Sequence, residues 1–389
     1  MNDAADAPLD GARDGLLPRV TSPVIILGVG GVGRALLKQI LESRALFDRR
    51  WNLVLDVLCL TDSRGMLCGE GGNALDDEAL RSAIAWKQEG RSLADHAEGS
   101  NRPDSVELVR RCCRPGTIVV DCTATSETAP ALLEALRRGG KLVLANKKPL
   151  TSDRALFRSL TLDPSLCRWE TTVGSGLPII TTLNRIVSSG DEVTRIAGTF
   201  SGTLGLLMTK LQEGASFSRV VRQAVEAGFT EPDPREDLSG TDMARKSLIL
   251  ARGIGWDLDL DDVEVQVLVP GALDSVPVSE FLERLSEMDE YFSVRTRASQ
   301  KHGHVLRYVA AIEDGRCRVG LDEVPATSPL GRLKGNDNLV EIYTRLYDPN
   351  PLVIQGRGTG VAATGSGALS DIVELVFSRC NPTDPDPAR

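Results

Sequence analysis

A glycine-rich segment near the N-terminus constrains the fold more than any other feature. The apolar run PVIILG is followed by glycines at positions 28, 30 and 33 and by a stretch whose apolar residues recur at helical spacing. A second apolar run, residues 51–61, comes next. Strand, tight glycine turn, helix and strand are the opening of a parallel α/β sheet. We therefore predict a Rossmann-type, doubly wound sheet here.

The three glycines also indicate what the turn holds. In the pattern G-x-G-x-x-G, Gly28 permits the tight turn, Gly30 lets the backbone approach a pyrophosphate, and Gly33 lets the helix pack closely on the strand. The free N–H groups at the helix start favour an anion. This pattern predicts a bound dinucleotide, the alternative being an ordinary strand-to-helix turn.

The end of the second strand bears on the choice of cofactor. Asp62 stands where an acidic residue binds the ribose of NAD, although it lies farther from Gly28 than the usual separation of about 20 residues. Arg64 would instead accept the 2′-phosphate of NADP. A solvated turn is an equally good interpretation, so NAD and NADP both stay open.

Two later strands bring polar residues to the same edge of this sheet. TIVVDCTAT ends with Thr123, and KLVLANKKPL ends with Lys147. In such sheets ligands lie beyond the carboxyl ends of the strands. A lysine at a strand end is usually a solvated charge, but this placement favours a functional role.

The second half reads as a mixed α/β domain whose densest ionisable segment is TEPDPREDLSGTDMARK. Its first part, residues 230–240, is predicted to be a loop, with Thr241 capping the helix that follows. Asp242 and Lys246 are four residues apart and share a helix face. A surface ion pair is the simpler interpretation. The functional one is that carboxylates hold a substrate ammonium while a lysine, its pKa lowered by a second cation such as Lys147, moves a proton.

The segment WETTVGSGLP is predicted to be a strand running into a glycine turn. Glu170 and backbone carbonyls on one side of such a turn would suit a hard cation. An ordinary turn is the simpler interpretation.

Composition excludes several classes of function. The net charge of −9 argues against a nucleic-acid surface, and no apolar run approaches the ~20 residues of a membrane-spanning helix. Residues 1–20 lack the features of a signal peptide and are predicted to be a disordered tail. The 8 cysteines are scattered, which suits reduced packing residues in a cytoplasmic protein, and 3 histidines make a zinc site or a histidine triad unfavourable.

Several motifs in order resemble one family. The chain is similar to the homoserine dehydrogenases from about residue 23 to residue 378. The motifs that carry the resemblance are GVGGVG, ANKK, ETTVGSGLP, GTFSGTLG, TEPDPREDLSGTDMARK, LKGNDN and QGRGTG. The resemblance implies interconversion of L-homoserine and L-aspartate 4-semialdehyde with NAD or NADP, on the route to threonine and methionine.

The resemblance also implies roles for individual residues. Lys246 would transfer the proton, and Lys147 would lie near both cofactor and substrate. The implied substrate residues are Glu231, Asp237, Asp242, Gly202 and Thr203; the implied cofactor residues are Gly28, Val29, Gly30, Gly31, Val32, Gly33, Arg34, Asp62, Arg64, Thr123, Lys147 and Gly360. The implied sodium site comprises Glu170 with the carbonyls of Val173, Ser175 and Leu177.

The resemblance extends to domain organisation. We expect a dinucleotide-binding domain over 21–150 plus 356–380, with an inserted mixed α/β catalytic and dimerisation domain over 151–355. The short architecture resembles the fungal type, which forms homodimers through the sheet of the second domain. We expect no C-terminal regulatory domain, no feedback inhibition by threonine through it, and no fused kinase.

Two other functions compete with this one. A phosphorylating semialdehyde dehydrogenase would use Cys122 as nucleophile, but its thiolate would need an activating partner. A dinucleotide-sensing regulator would need the glycines but no lysine–carboxylate pocket. The segment TEPDPREDLSGTDMARK speaks against the second alternative.

Overall fold

The computed structural model describes residues 18–378, and the expected N-terminal tail lies largely outside this range. A first sheet has the strand order β4-β3-β2-β1-β5-β6-β7, in which β2, β1, β5, β6 and β7 are parallel. Its strands are β1 (Val20–Leu27), β2 (Leu53–Thr61), β3 (Gly65–Cys68), β4 (Ser100–Asn101), β5 (Ile118–Asp121), β6 (Lys141–Leu144) and β7 (Cys167–Arg168). The Rossmann-type sheet is confirmed, and it extends past the expected domain boundary at residue 150.

A second sheet has the order β13-β12-β8-β10-β11-β9 and is antiparallel apart from the β9–β11 pair. Its strands are β8 (Val193–Thr199), β9 (Val263–Val265), β10 (His304–Glu313), β11 (Arg316–Pro325), β12 (Asn338–Thr344) and β13 (Leu352–Gly356). The turn between β10 and β11 is Asp314-Gly315. Both residues have positive φ, 51° and 73°, which the two-residue hairpin turn requires.

Helices cover both sheets. They are α1 (Gly31–Trp51), α2 (Asp77–Gln88), α3 (Ser105–Cys112), α4 (Ala129–Arg137), α5 (Lys148–Thr151), α6 (Arg154–Thr161), α7 (Thr171–Gly174), α8 (Ile179–Ser188), α9 (Gly202–Gln212), α10 (Phe217–Glu226), α11 (Pro234–Leu238), α12 (Thr241–Gly253), α13 (Val278–Arg284), α14 (Asp289–Lys301), α15 (Pro329–Arg332) and α16 (Val361–Phe377). The last helix, α16, returns from the second sheet to pack on α1.

One apolar core joins the two halves of the chain. The cluster contains Val119 of β5 and Leu144 of β6, and it continues through Leu183 of α8 and Leu250 of α12 to Ile312 of β10. All five side chains are fully buried. Burial of apolar surface stabilises this arrangement by about 25 cal/mol for each Å² removed from water. The shared core therefore holds α12 against the edge where β5 and β6 end.

Four local predictions were wrong. Trp51 ends α1 instead of opening β2, and residues 171–174 after Glu170 are a helical turn, not a strand. The predicted loop 230–240 contains α11, whose start is capped by Asp233. Gly240, with φ of 75°, precedes α12, so Thr241 is the first helical residue and not its cap. In each case tertiary packing overrides a short-range pattern.

Two of the cysteines are not the reduced packing residues that the sequence suggested. Cys59 and Cys68 face each other across β2 and β3 and form a disulfide.

No helix among residues 18–378 combines the length and apolar character needed to span a bilayer.

Candidate functional site

The glycine turn between β1 and α1 has the geometry that a close approach requires. Gly28 has a φ of 93° and its N–H donates to the Thr61 carbonyl at 3.0 Å. A Cβ at Gly33 would collide with the carbonyl oxygen of Gly28, whereas one at Gly30 would meet nothing within 4 Å. The turn is therefore tight on its inner side and open where a pyrophosphate would lie.

The other residues of the turn take different positions. The Val29 side chain is buried in the core, so only its backbone faces the turn. Gly31 lies against Val361 of α16, with a Cβ there 2.9 Å from the valine. Val32 and Arg34 are half-buried, and the Arg34 guanidinium donates to the Lys87 carbonyl at 3.0 Å. The start of α16 thus borders the start of α1.

Asp62 is enclosed within the protein. Its Oδ2 accepts from the Lys87 ammonium at 2.7 Å and from the Leu93 N–H at 2.7 Å. Its Oδ1 accepts from the N–H groups of Arg64 and Gly65 at 2.9 and 2.7 Å. Burial would raise the pKa of Asp62, but Lys87 and these N–H groups outweigh it and lower the pKa to about 2. The carboxylate is ionised and already satisfied, so a ribose hydroxyl would have to displace an existing donor.

Arg64 lies in the same turn but faces solvent. Its side chain is 70% exposed and pairs with Asp95 at 3.6 Å, a distance at which exposed ion pairs contribute little. The guanidinium is available to a ligand at the end of β2.

A buried aspartate that sequence reasoning missed organises the ends of β5 and β6. Asp121 is fully buried. Its carboxylate accepts from the Thr123 hydroxyl at 2.7 Å, from the Thr128 hydroxyl at 2.6 Å and from the Asn146 amide at 3.0 Å. The Asn146 side chain in turn accepts from the N–H of Lys148 at 3.1 Å. A strand ending in an acidic residue, followed by threonine and by asparagine on the next strand, is the signal that could have revealed it.

The predicted lysines and one carboxylate meet at this edge. Asp242, at the start of α12, lies between two ammonium groups: Lys246 at 2.8 Å and Lys147 at 3.1 Å. Burial would raise the pKa of Asp242, but the two lysines outweigh it and hold the pKa well below its usual range. The tertiary structure therefore brings Lys147 of the first domain to the Asp242–Lys246 pair on α12 of the second.

Lys246 is the more enclosed of the two lysines, with a side chain 12% exposed. Its ammonium also donates to the Phe200 carbonyl at 2.7 Å. Burial lowers the pKa of Lys246, the charge of Asp242 opposes this, and Lys147 adds to the lowering; the net direction is down. A lysine in this state can exchange a proton nearer neutral pH than a solvated one.

A second group of polar residues lies beside the lysines. The Thr203 hydroxyl donates to the Phe229 carbonyl at 2.8 Å, and the Glu231 N–H donates to Asp237 at 2.9 Å. Burial raises the pKa of Asp237, and Asp242 raises it further, while the Glu231 and Thr203 donors oppose the shift. Thr203 and Asp237 border a narrow apolar cavity.

The loop before α16 reaches this group. A Cβ on Gly202 would lie 2.7 Å from the Thr359 methyl. Gly360, which follows, has a φ of 103°, a conformation that favours glycine. The loop therefore borders the polar residues of α9 on one side and the glycine turn on the other.

Glu170, the predicted carboxylate of the cation site, is one of two neighbouring buried acidic residues. Glu170 accepts from the N–H groups of Ile180 and Thr181 at 2.6 and 2.7 Å, at the start of α8. Asp371 of α16 accepts from the N–H of Glu170 at 3.1 Å. Burial raises the pKa of both carboxyl groups, and Glu170 raises that of Asp371 further. Sequence reasoning missed Asp371 because it lies 201 residues from Glu170.

The backbone of the predicted cation segment follows the helical turn α7. Val173 is its third residue, and Ser175 follows it with a φ of 57°. The Leu177 carbonyl accepts from Ile179 at 2.8 Å. The Leu177 carbonyl therefore already has one donor.

The surroundings of Cys122 favour the protonated thiol and not the thiolate that a nucleophile needs. Burial raises the pKa of its thiol, and the neighbouring Asp121 raises it further. A reactive cysteine needs a lowered pKa. The geometry therefore disfavours the semialdehyde dehydrogenase alternative.

Comparisons with known proteins identify the family of the chain. Residues 28–162 match the family model described as homoserine dehydrogenase, NAD binding domain, and residues 178–373 match the homoserine dehydrogenase model. In fold, the chain resembles a Candida auris protein of unknown function, with a TM-score of 0.81 and 32% identity over 91% of this chain and 98% of that one.

Two curated relatives differ in length. The chain is 36% identical, over 91% of its length, to a bifunctional aspartokinase/homoserine dehydrogenase of Haemophilus influenzae, and spans 42% of that protein. It is 35% identical to the homoserine dehydrogenase of Emericella nidulans, over 90% of this chain and 97% of the fungal one. With both domain models matched and a relative covered almost end to end, the chain belongs to the homoserine dehydrogenase family.

Proposed function

We propose that this protein interconverts L-homoserine and L-aspartate 4-semialdehyde with a nicotinamide dinucleotide. The observation that carries the proposal is the Lys147–Asp242–Lys246 arrangement at the carboxyl edge of the dinucleotide-binding sheet. Oxidation of an alcohol needs a hydride acceptor and a group that removes the hydroxyl proton. The glycine turn and Lys246 supply these two functions from neighbouring elements.

Lys246 would move the proton. A nicotinamide dinucleotide held at the glycine turn would supply the acceptor for the hydride that leaves C4 of homoserine. The neutral amine of Lys246 takes the proton of the substrate hydroxyl as the aldehyde forms, and the ammonium returns it in the reverse direction. Burial and Lys147 lower the pKa of Lys246, which favours the neutral amine that oxidation requires.

The carboxylates beside Lys246 would hold the substrate. A substrate ammonium is best placed against Asp237 and Glu231, which share a hydrogen bond near Thr203. Asp242 would act by positioning the two lysines. The loop ending at Gly360 would then cover the bound ligands.

The decisive experiment combines turnover with binding. Purified protein is mixed with L-homoserine and either NAD or NADP at alkaline pH, and formation of the reduced cofactor is followed by absorbance. Lys246→Ala should lose turnover by roughly 10²–10⁴-fold and retain dinucleotide affinity. Lys210→Ala, whose lysine pairs with Glu213 on the surface of α9, is the matched control. A folded wild-type protein that binds dinucleotide but shows no rate with either cofactor would favour the sensor alternative.

We propose NADP as the preferred cofactor. Asp62 is occupied by Lys87 and backbone N–H groups, which leaves it poorly suited to accept a ribose hydroxyl. Arg64 is exposed in the same turn and matches a 2′-phosphate. The ratio of kcat/KM for NADP over NAD should exceed one. In Arg64→Ala this ratio should fall about tenfold, which corresponds to about 1.4 kcal/mol of lost binding free energy. Arg81→Ala is the control, because its arginine is similarly exposed on α2.

We further propose that Glu170, with the carbonyls of Val173, Ser175 and Leu177, holds a sodium ion. The support is electrostatic: among residues 18–378 neither Glu170 nor Asp371 has a lysine or arginine within ion-pair distance, although both are buried. The two oxygens of Glu170 accept from the N–H groups of Ile180 and Thr181, and a carboxylate offers about four lone-pair sites in all. Replacing sodium by tetramethylammonium should lower the unfolding temperature of the wild type but not of Glu170→Gln. Equal unfolding temperatures in both salts would refute the site.

We also propose a homodimer formed through the second sheet. Three exposed apolar side chains support it: Leu346 and Tyr347 in the turn after β12, and Val353 on the edge strand β13. A mass of two chains by light scattering, reduced to one in Leu346→Asp, is the expected result. The cytoplasmic location stays a prediction from the sequence.

A further inference from the structure

Three cysteine sulfur atoms lie together away from the lysines and carboxylates described above. Cys59 comes from β2, Cys68 from β3 and Cys112 from the last residue of α3. All three sulfur atoms lie within 4.8 Å of one another. Cys59 and Cys68 are directly opposite residues of the antiparallel β2–β3 pair and are joined by the disulfide.

The composition of this cluster limits the ligand it would take. Among the residues that the structure describes, it contains sulfur ligands only, with no histidine or carboxylate. Thiolates select thiophilic ions such as Zn²⁺ and Cu⁺ over Mg²⁺ or Ca²⁺. With zinc–sulfur bonds of about 2.3 Å, sulfur ligands of one ion lie about 4 Å apart. The Cys112 sulfur lies within 4.8 Å of both disulfide sulfurs, which is close enough for the three to ligate one ion once the sulfur–sulfur bond is reduced.

The three cysteines differ in how deeply they are buried. Cys59 is fully buried, whereas Cys68 and Cys112 are half-buried. An ion held by the three sulfurs would therefore be enclosed at Cys59 and partly open to solvent at Cys68 and Cys112. Water can complete the fourth position on that open side.

We propose that Cys59, Cys68 and Cys112 form a site for one thiophilic divalent cation of the zinc class when the disulfide is reduced. An external dithiol or phosphine supplies two electrons, with two protons from solvent, and converts the disulfide to two thiols. The cation then displaces three thiol protons and binds three thiolates. In the oxidised form two of the three ligands are consumed by the sulfur–sulfur bond, so that form does not bind the ion.

The test uses Cd²⁺ as a spectroscopic probe of the full-length protein. Reduced protein is titrated with Cd²⁺ and the thiolate charge-transfer absorbance is followed, with Zn²⁺ added in competition. We expect one equivalent to bind to the reduced protein, with at least tenfold weaker binding in Cys112→Ser and none at this site after oxidation. Cys317→Ser is the matched control, since that cysteine is buried in the second domain outside the cluster; its binding should equal that of the wild type.

Cys112→Ser should not unfold the protein, because Cys112 is half-buried at a helix end and lies outside the disulfide. Its unfolding temperature should match that of the wild type. Absence of a bound equivalent in the reduced wild type, or equal affinity in Cys112→Ser, would overturn the proposal.

Discussion

Asp242 offers the sharpest test of how the two lysines are tuned. In Asp242→Asn the side chain keeps its shape and an oxygen acceptor but loses its charge. Asp242 raises the pKa of Lys246, against the lowering by burial and Lys147. Removal of the carboxylate charge should therefore lower the pKa of Lys246 further. The pH below which homoserine oxidation falls should move down.

The size of the shift follows from the geometry. Unit charges 2.8 Å apart, as in the Lys246–Asp242 pair, interact by about 1.5 kcal/mol in water and about 6 kcal/mol at an effective dielectric constant of about 20. Because the Asp242 side chain is 47% exposed, screening favours the lower part of this range, about 1.5–3 kcal/mol. At 1.36 kcal/mol per unit, the acid limb should move down by about 1–2 pH units.

The measurement is the pH profile of kcat for homoserine oxidation at saturating cofactor. The plateau should also fall, because Asp242 positions both lysines, but the midpoint of the acid limb carries the test. Asp257→Asn is the control, since its carboxylate pairs with arginines at the surface. A lower plateau with an unmoved midpoint would refute the electrostatic reasoning and leave Asp242 with a purely steric or substrate-binding role.

Three further outcomes are expected. Gly33→Ala should lower the free energy of unfolding by about 1–3 kcal/mol, measured by urea denaturation, because its Cβ would collide with the Gly28 carbonyl; unchanged stability would contradict the close packing. Cys122→Ser should retain kcat within about threefold, because burial raises the pKa of this thiol and keeps it protonated; loss of all turnover would revive a thiolate mechanism. In the wild type, the free energy of unfolding should decline as pH rises from about 4 towards the raised pKa of Asp371, because the folded state holds that proton longer than the unfolded state. The decline should shrink in Asp371→Asn, and identical pH dependence of stability in both proteins would show that Asp371 is not its source.

The sequence alone predicted the Rossmann-type sheet and the shared helix face of Asp242 and Lys246. The glycines of the β1–α1 turn depend on local backbone geometry, which a short pattern encodes directly. Asp242 and Lys246 share a helix face because of their spacing, and the structure shows them paired at 2.8 Å.

Only the tertiary structure decided which distant residues meet. Lys147 reaches Asp242 because the shared core presses α12 against the edge of the first sheet. Lys87 and the Leu93 N–H reach the Asp62 carboxylate only through the fold, because they lie 25 and 31 residues away in the chain. Asp371 meets Glu170 only because α16 returns to the first domain.

The same distinction explains the local errors and the cysteines. A helical turn after Glu170 and the short helix α11 are too brief for periodicity to reveal, and packing decides them. Cys59 and Cys68 become neighbours through strand register, and Cys112 joins them through the packing of α3. Local backbone requirements are written in short stretches of sequence, whereas side-chain contacts between distant segments depend on how the whole chain packs.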